Sequence, residues 1–335
     1  MTAIDFTELH DDLRAVAADV LARDRVDWAT LVEAGWVGLE VTDALGGAGA
    51  TFAETALICT ELGRAAAATS YLGSAVLAVG VLNGLPDGEV RDGLLADVAA
   101  GSARVTPVLG GAFTVDAERR LSGHAEFVPD ADGADRLLVM ATDATGAEVV
   151  VIADGLAVTP QPVLDETRRV ATVSAAAVPV AADAVLRCAG GGQSVSNRAA
   201  IAVACDSLGL AEAMLDKTVA YAGTREQFGR AIGSFQAVKH ACADMLVRIT
   251  VARTLVHDAV AALVCADADA DTAVAMAKSY TCAAAVDVVG KALQLHGGIG
   301  YTWESGIHVY LKRASFNRSL FGSPAAHRRR LSQRY

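Results

Sequence analysis

Thr224-Arg-Glu-Gln-Phe-Gly-Arg-Ala-Ile-Gly-Ser-Phe-Gln236 separates two long helical patterns, and Gln294-Leu-His-Gly-Gly-Ile-Gly-Tyr301 lies about two helices further on. The pattern before the first stretch, 194–222, carries Ile201, Leu208, Ala211, Leu215 and Val219 on one side. The pattern after it, 235–266, repeats with Val238, Met245, Ile249, Ala252, Leu255 and Val256. Asp267-Ala-Asp-Ala-Asp271 then makes an acidic turn with helix-capping capacity, a third helix runs over 272–296, and a shorter basic segment closes the chain. Long helices joined by short loops predict an antiparallel four-helix bundle.

Upstream, residues 1 to about 100 also read as helical. Ile4, Leu9, Leu13, Val16, Val20 and Leu21 form one apolar stripe, and Asp27 is placed to cap a helix over 28–34. Gly46-Gly-Ala-Gly49 is a loop before a helix ending at Arg64. It has neither the Lys-Ser/Thr of a phosphate loop nor a strand before it, so it reads as a turn. Two more helices fit 71–82 and 88–100. From about 102 the pattern changes to short Val-, Leu- and Ile-rich runs at 103–109, 120–128, 136–141, 148–152, 156–162 and 170–178, several of them parted by turn residues. Such spacing predicts a small antiparallel barrel or sandwich, with 181–192 as the connection back to helices. The fold class is α+β: an N-terminal helical domain (1–101), a middle β domain (102–188) and a C-terminal helical bundle (189–335).

The 335 residues carry a net charge of -11, which argues against nucleic acid or an anionic membrane as the main partner. No apolar run reaches the ~20 residues of a membrane span, and the acidic N-terminus has no signal-peptide pattern, so a cytoplasmic location is expected. Cys59, Cys188, Cys205, Cys242, Cys265 and Cys282 form no C-x-x-C pair and read as buried thiols, with no metal site. The Asp-x-Asp-x-Asp run lacks the glycine and distal glutamate of a calcium loop.

Arg225-x-x-Phe228-Gly229, Phe235-Gln236 and Gln294-x-x-Gly297-Gly298-x-Gly300-Tyr301, in this order and on these helices, resemble the acyl-CoA dehydrogenase family. Tyr301-Thr-Trp-Glu304 and Leu311-Lys-Arg-Ala314 extend the match, which is strongest over 195–324 and weakest in the β domain. The resemblance implies α,β-desaturation of acyl-CoA thioesters by an FAD-dependent oxidoreductase of lipid β-oxidation. It also implies that these positions reach, across a subunit interface, the adenosine-diphosphate half of an FAD whose flavin sits on the neighbour. The chemistry agrees. A pyrophosphate dianion needs a fixed cation, and Arg225 offers a planar donor fork. Phe228 can wall the adenosine, Gln236 and Gln294 offer amides to ribose and phosphate, and Gly297 and Gly298 allow close backbone approach. Each residue alone has an ordinary structural explanation; the set at this spacing carries the reading.

Three departures from the family point one way. The family's catalytic glutamate, followed by Gly-Thr, is replaced by Phe321 before Gly322-Ser323, and a phenyl ring accepts no proton. The alternative base position falls at Ala199, between Asn197-Arg198 and Ala200. The flavin-ring segments are eroded to Val105-Thr-Pro-Val-Leu-Gly-Gly111 and, after Leu121-Ser-Gly123, to Glu126-Phe-Val-Pro129. The chain is therefore similar to the shortened, base-less subunit of actinobacterial α2β2 acyl-CoA dehydrogenases, including its Leu320-Phe-Gly-Ser-Pro324 ending. These assemblies often act on CoA thioesters of steroid side chains. The resemblance implies a catalytic partner subunit that binds most of the acyl-CoA, and a separate electron-transfer acceptor. Two other readings stay open: a homo-oligomeric dehydrogenase whose base has moved, Glu304 being the candidate, and a flavin-free scaffold. Otherwise Glu304 reads as a partner of Lys312 and Arg313, Glu126 and Asp130 as turn residues, His296 as a helix C-terminal histidine, and Arg328-Arg-Arg330 with Arg334 as a basic surface.

Overall fold

A computed structural model describes residues 7–23, 26–188 and 191–334, with side chains from residue 10 onward. The helices are α1 (Thr7–Leu21), α2 (Trp28–Glu33), α3 (Phe52–Arg64), α4 (Val79–Asn83), α5 (Glu89–Ala99), α6 (Gly191–Thr224), α7 (Gln236–Val264), α8 (Ala270–His296), α9 (Ile307–Ser319) and α10 (Pro324–Ser332). The chain divides into two compact units. One comprises α1, Ala56–Ala67 and everything from Ala200; the other comprises residues up to Thr55 after α1, and Ala68–Ala199.

In the first unit the three long helices appear as predicted, at 34, 29 and 27 residues. The fourth position is taken by α9 and α10, both packed on α8. The predicted stripe of α7 is inside, with Met245, Ile249, Ala252 and Val256 buried. That of α6 needs correction: Val219 is 53% exposed, whereas every residue from Ala199 to Ala211 is buried. The middle of α6 is surrounded on all sides, and such a helix carries no single apolar face. The stripe of α1 also shifts, since Val16 is 51% exposed and Ala17 is buried beside Val20. Ile4 and the Leu9 side chain lie outside the described residues.

Two glycines set the closest helix crossing. A Cβ at Gly63 would lie 2.0 Å from the Asp206 carbonyl oxygen, and one at Gly209 would lie 1.9 Å from that of Thr60. Beside the crossing, Arg64 on α3 spans Glu212 and Asp216 on α6, at 2.7 Å each.

The second unit holds the β domain. Six strands fall near their predicted places: β1 (Val105–Val108), β3 (Arg120–Pro129), β4 (Arg136–Asp143), β5 (Glu148–Ile152), β6 (Ala157–Gln161) and β7 (Val170–Pro179). Two short ones escape the periodicity, β2 (Thr114–Val115) and β8 (Val185–Arg187), the latter within the stretch read as a connection. The order is β6-β7-β3-β2-β4-β5-β8, and β1 and β2 both run parallel to β4. The sheet is therefore mixed, not antiparallel throughout. Pairing direction leaves no mark in strand periodicity when both faces are covered. They are covered here: Leu137, Val139, Val149 and Val151 enter one core, while Leu138 and Val150 enter another with α4 and α5. Pro160 is tolerated because β6 is an edge strand.

The predicted helix over 71–82 is a π-helical segment, Leu72–Ala78, continued by α4. The buried Asp130 carboxylate accepts the Gly73 amide at 2.8 Å, and Arg198 donates to the Val76 carbonyl at 2.6 Å. The first caps an amide in the opening turn, which has no acceptor inside the helix, and the second adds a donor to a carbonyl near its end. Asp130 is thus the turn residue expected, at φ +56°, and its buried carboxylate also serves this helix. Asp27 caps α2 as expected, accepting from the Thr30 amide and hydroxyl. The Gly46–Gly49 loop spends its amides at home: Gly47 and Gly49 donate to Thr42 and Val41. It has no donors left for a phosphate. Cys59, Cys188, Cys205 and Cys282 are buried, but Cys242 is only half-buried and Cys265 is exposed. Asp267 and Asp269 make the expected turn before α8, and no group of residues able to hold a metal ion occurs among the described residues.

Candidate functional site

The two signatures meet at one end of the bundle. The last turn of α6 carries Tyr221, whose ring stacks on His296 in the last turn of α8, centroids 4.5 Å apart. The Tyr221 hydroxyl lies 3.4 Å from the His296 carbonyl. His296 Nδ1 is 2.7 Å from the Ala292 carbonyl, which only accepts, so that nitrogen carries the proton. His296 is the helix C-terminal histidine expected, and its ring supports Tyr221. Tyr221 was not legible as a site residue, because an aromatic on a helix face reads as core.

Beyond Tyr221 the chain turns into a two-strand hairpin, β9 (Glu226–Gln227) and β10 (Arg230–Ala231). Arg225 anchors it through its backbone, donating to the Tyr221 carbonyl and accepting from Ile232, both at 2.8 Å. Its guanidinium is exposed and forms no ion pair with a described carboxylate. Phe228 stands at the hairpin tip with φ +54° and 91% exposure. A left-handed backbone at a non-glycine residue costs roughly 1–2 kcal/mol, and Phe228 recovers little of it by burial. Its ring makes an edge contact with Phe235 at 6.1 Å, and Arg230 lies over the Phe235 ring at 4.1 Å. Gln236 opens α7 and is exposed.

On the α8 side, Gln294 is exposed and accepts from Lys291 at 2.9 Å. Gly297 ends the helix at φ +63°, a conformation that favours glycine. A Cβ at Gly297 or at Gly298 would meet nothing within 4 Å in this chain. At Gly298, where φ makes no such demand, glycine serves no contact inside this chain. Tyr301 and Trp303 follow, 74% and 73% exposed. An exposed cation, an exposed aromatic wall and an open glycine pair are a donor set that fits a nucleotide diphosphate.

Glu304 does not meet Arg313 as the sequence reading has it. Arg313 is buried and paired with Asp206, while Lys312 sits over the Trp303 ring at 5.2 Å. The Glu304 carboxyl is fully exposed and held below its ordinary value by its own backbone amide and the Thr302 hydroxyl. Those bonds make it a weaker base.

Ala199 and Phe321, the two residues expected at base positions, have side chains that accept no proton. Ala199 is fully buried, and its neighbour Arg198 pairs with Glu40 and lies over the Phe52 ring at 4.3 Å. Phe321 is half-buried at φ +56°. Two carbonyls of its loop are clamped: His327 Nε2 lies 3.0 Å from the Phe321 oxygen, and the Lys278 ammonium donates to Gly322 at 3.0 Å and Asn317 at 2.9 Å. Burial lowers the pKa of both groups, opposed for His327 by the Phe321 carbonyl and for Lys278 by Cys282. Lys278 was missed in the sequence, although a lone lysine in the apolar run Val274–Cys282 signals a buried partner. Phe127, in the eroded flavin segment, is 47% exposed at φ +55° beside an irregularity in the β3–β7 pairing. Such bulges re-aim a side chain.

This bundle, preceded by helices and a mixed sheet, defines an acyl-CoA dehydrogenase fold. The acyl-CoA dehydrogenase C-terminal domain matches residues 193–335 and the N-terminal domain matches residues 5–102. The chain is 33% identical over 320 residues to acyl-CoA dehydrogenase IpdE2 of Mycolicibacterium smegmatis, covering 95% of this chain and 91% of that one. Solved structures with the same fold include the ChsE4-ChsE5 complex from Mycobacterium tuberculosis, at TM-score 0.88 and 26% identity. The Tcur3481-Tcur3483 steroid ACAD aligns at TM-score 0.87 and 28% identity. Each alignment covers 98% of both chains. The chain belongs to the acyl-CoA dehydrogenase family.

Proposed function

We propose that this chain is the non-catalytic subunit of an FAD-dependent acyl-CoA dehydrogenase, completing a cofactor site on an unlike partner. Arg225, Phe228, Gln236, Gln294, Gly297 and Gly298 would hold the adenosine-diphosphate half of the FAD. When bound, FAD supplies the hydride acceptor for desaturation. The partner subunit would contribute the catalytic glutamate and most of the acyl-CoA site in an α2β2 assembly, and electrons would pass on to a separate acceptor. The observation that carries this reading is Phe228, 91% exposed on a left-handed backbone beside an exposed Arg225 that has no ion pair among the described residues. Within the chain the Phe228 ring makes only its edge contact with Phe235, whereas a dinucleotide laid against the two residues would use both.

Phe321 and Ala199 at the two base positions, and the weakened basicity of Glu304, favour a partner-supplied base over a relocated one. Two structural relatives, the ChsE4-ChsE5 complex and the Tcur3481-Tcur3483 steroid ACAD, are pairs by name, which supports unlike-subunit pairing. From the second we take steroid side-chain CoA thioesters as the proposed substrate class. A cytoplasmic location and the three-domain division at 101 and 188 belong to the same reading. The test is flavin per chain by absorbance, for the chain alone and co-expressed with a neighbouring acyl-CoA dehydrogenase gene. Little flavin alone and about one FAD per unlike pair is the expected result. One FAD per chain in the protein alone would reject the subunit reading.

A further inference from the structure

The corner between α9 and α10 frames an open surface cavity of about 340 Å³, on a different segment from the Arg225–Gly298 rim. Its lining includes Arg318 and Arg328, with the hydroxyls of Ser315, Ser319 and Ser323, and contains no acidic residue. Such a concentration is unexpected in a chain of net charge -11. Arg313 pairs with Asp206 and Arg334 with Asp269, whereas the exposed Arg329 and Arg330 lie outside the lining. Arg318 and Arg328 form no ion pair with a described carboxylate, and Ser315 and Ser319 have no hydroxyl partner among the described residues. Ser323 caps α10 by accepting the Ala326 amide at 3.2 Å, which leaves its own proton to donate.

We propose that this cavity is a binding site for a terminal phosphate group. Two guanidinium forks and three hydroxyls call for a ligand with several acceptor oxygens and about two negative charges. A carboxylate has too few oxygens to use them. The volume sits at the lower end of small-ligand pockets, roughly 300–1,000 Å³, so it suits one phosphate with its waters rather than a whole dinucleotide. The same chemistry has two sources, free phosphate and the phosphomonoester of a nucleotide such as the 3′-phosphate end of CoA.

Calorimetric titration of the full chain with inorganic phosphate, and separately with adenosine 3′,5′-bisphosphate, tests it. Sub-millimolar binding is expected, weakened about tenfold by Arg318→Gln or Arg328→Gln and under twofold by Arg329→Gln or Arg330→Gln. All four side chains are exposed, so the variants should fold. Equal affinity for the two ligands assigns the site to free phosphate, and tighter binding of the bisphosphate assigns it to a nucleotide. The proposal fails if neither ligand binds below about 10 mM. It also fails if the Arg329 and Arg330 variants weaken binding as much as the Arg318 and Arg328 variants, because the effect would then be general charge attraction. Neither outcome bears on flavin content, which tests the subunit reading separately.

Discussion

In the middle of the bundle, Asp206, Arg313 and Asn317 close on one another. At its end, Arg225 meets no carboxylate among the described residues, Phe228 makes only an edge contact with Phe235, and Gly298 faces open space. Arg313 donates its Nε and one Nη to the Asp206 carboxylate and the other Nη to the Ala67 carbonyl, and Asn317 adds its amide. Polar groups taken out of water must be paired to be tolerated, and here the Arg313 guanidinium, the Asp206 carboxylate and the Asn317 amide nitrogen are, leaving the Asn317 Oδ1 without a partner among the described residues. The rim instead leaves a cation and an aromatic ring in solvent on a backbone that resists the conformation. One region is complete in a single chain; the other becomes useful when something is laid on it. Charge type does not separate them, since both use arginine. Burial and the presence of a carboxylate do.

The sharpest way to break the comparison is to remove one member from each region. Asp206→Ala takes the carboxylate away from the buried Arg313 guanidinium and should cost about 3–5 kcal/mol, measured by urea unfolding. Arg225→Ala should stay within about 0.5 kcal/mol of the parent while lowering the flavin content of the complex. Unchanged flavin occupancy in that variant would remove the main support for the subunit reading. Lys278→Met is next. It strips a buried donor from the Asn317 and Gly322 carbonyls and should destabilise by about 1–3 kcal/mol. Phe228→Gly is smaller still: relief of the left-handed strain should offset the extra freedom of the unfolded chain, so stability should change by less than about 1 kcal/mol as flavin occupancy falls.

The smallest effects are in pH dependence. Burial holds His327 below its ordinary 6.5, so the folded protein prefers the neutral ring. Stability tied to it is full above pH 6.5 and declines as pH falls from there toward the folded value. His327→Gln should flatten that slope in urea midpoints taken between pH 7 and pH 5. Glu61 behaves in the opposite sense. Burial raises its carboxyl above 4.5 against the pull of Arg64, so stability falls as pH rises from 4.5 through the folded value. Glu61→Gln should remove that fall.

The bundle was legible because three long apolar repeats are interrupted at the right places, and the rim was legible because glycine, arginine and phenylalanine keep a fixed spacing at those interruptions. The sheet was only half legible. Val149-Val150-Val151 reads as a strand, but a strand buried on both faces says nothing about which neighbour it pairs with, or in which direction. The Arg313–Asp206 pair was hidden for a different reason: its members are 107 positions apart, and sequence proximity favoured Glu304 instead. The π segment depends on Asp130 and Arg198, neither of which is local to it.

The crossing of Gly63 and Gly209 works as a gauge of separation. With a missing methyl on each helix, the distance between α3 and α6 is fixed by backbone touching backbone, which leaves no rotamer to absorb an error. An alanine at either place would have to lift one helix by about an ångström. Arg64, one residue past Gly63, would move with it, and its grip on Glu212 and Asp216 would slacken at the protein surface. A methyl group added at this crossing would therefore be reported outside it, as a lost pair of surface charges.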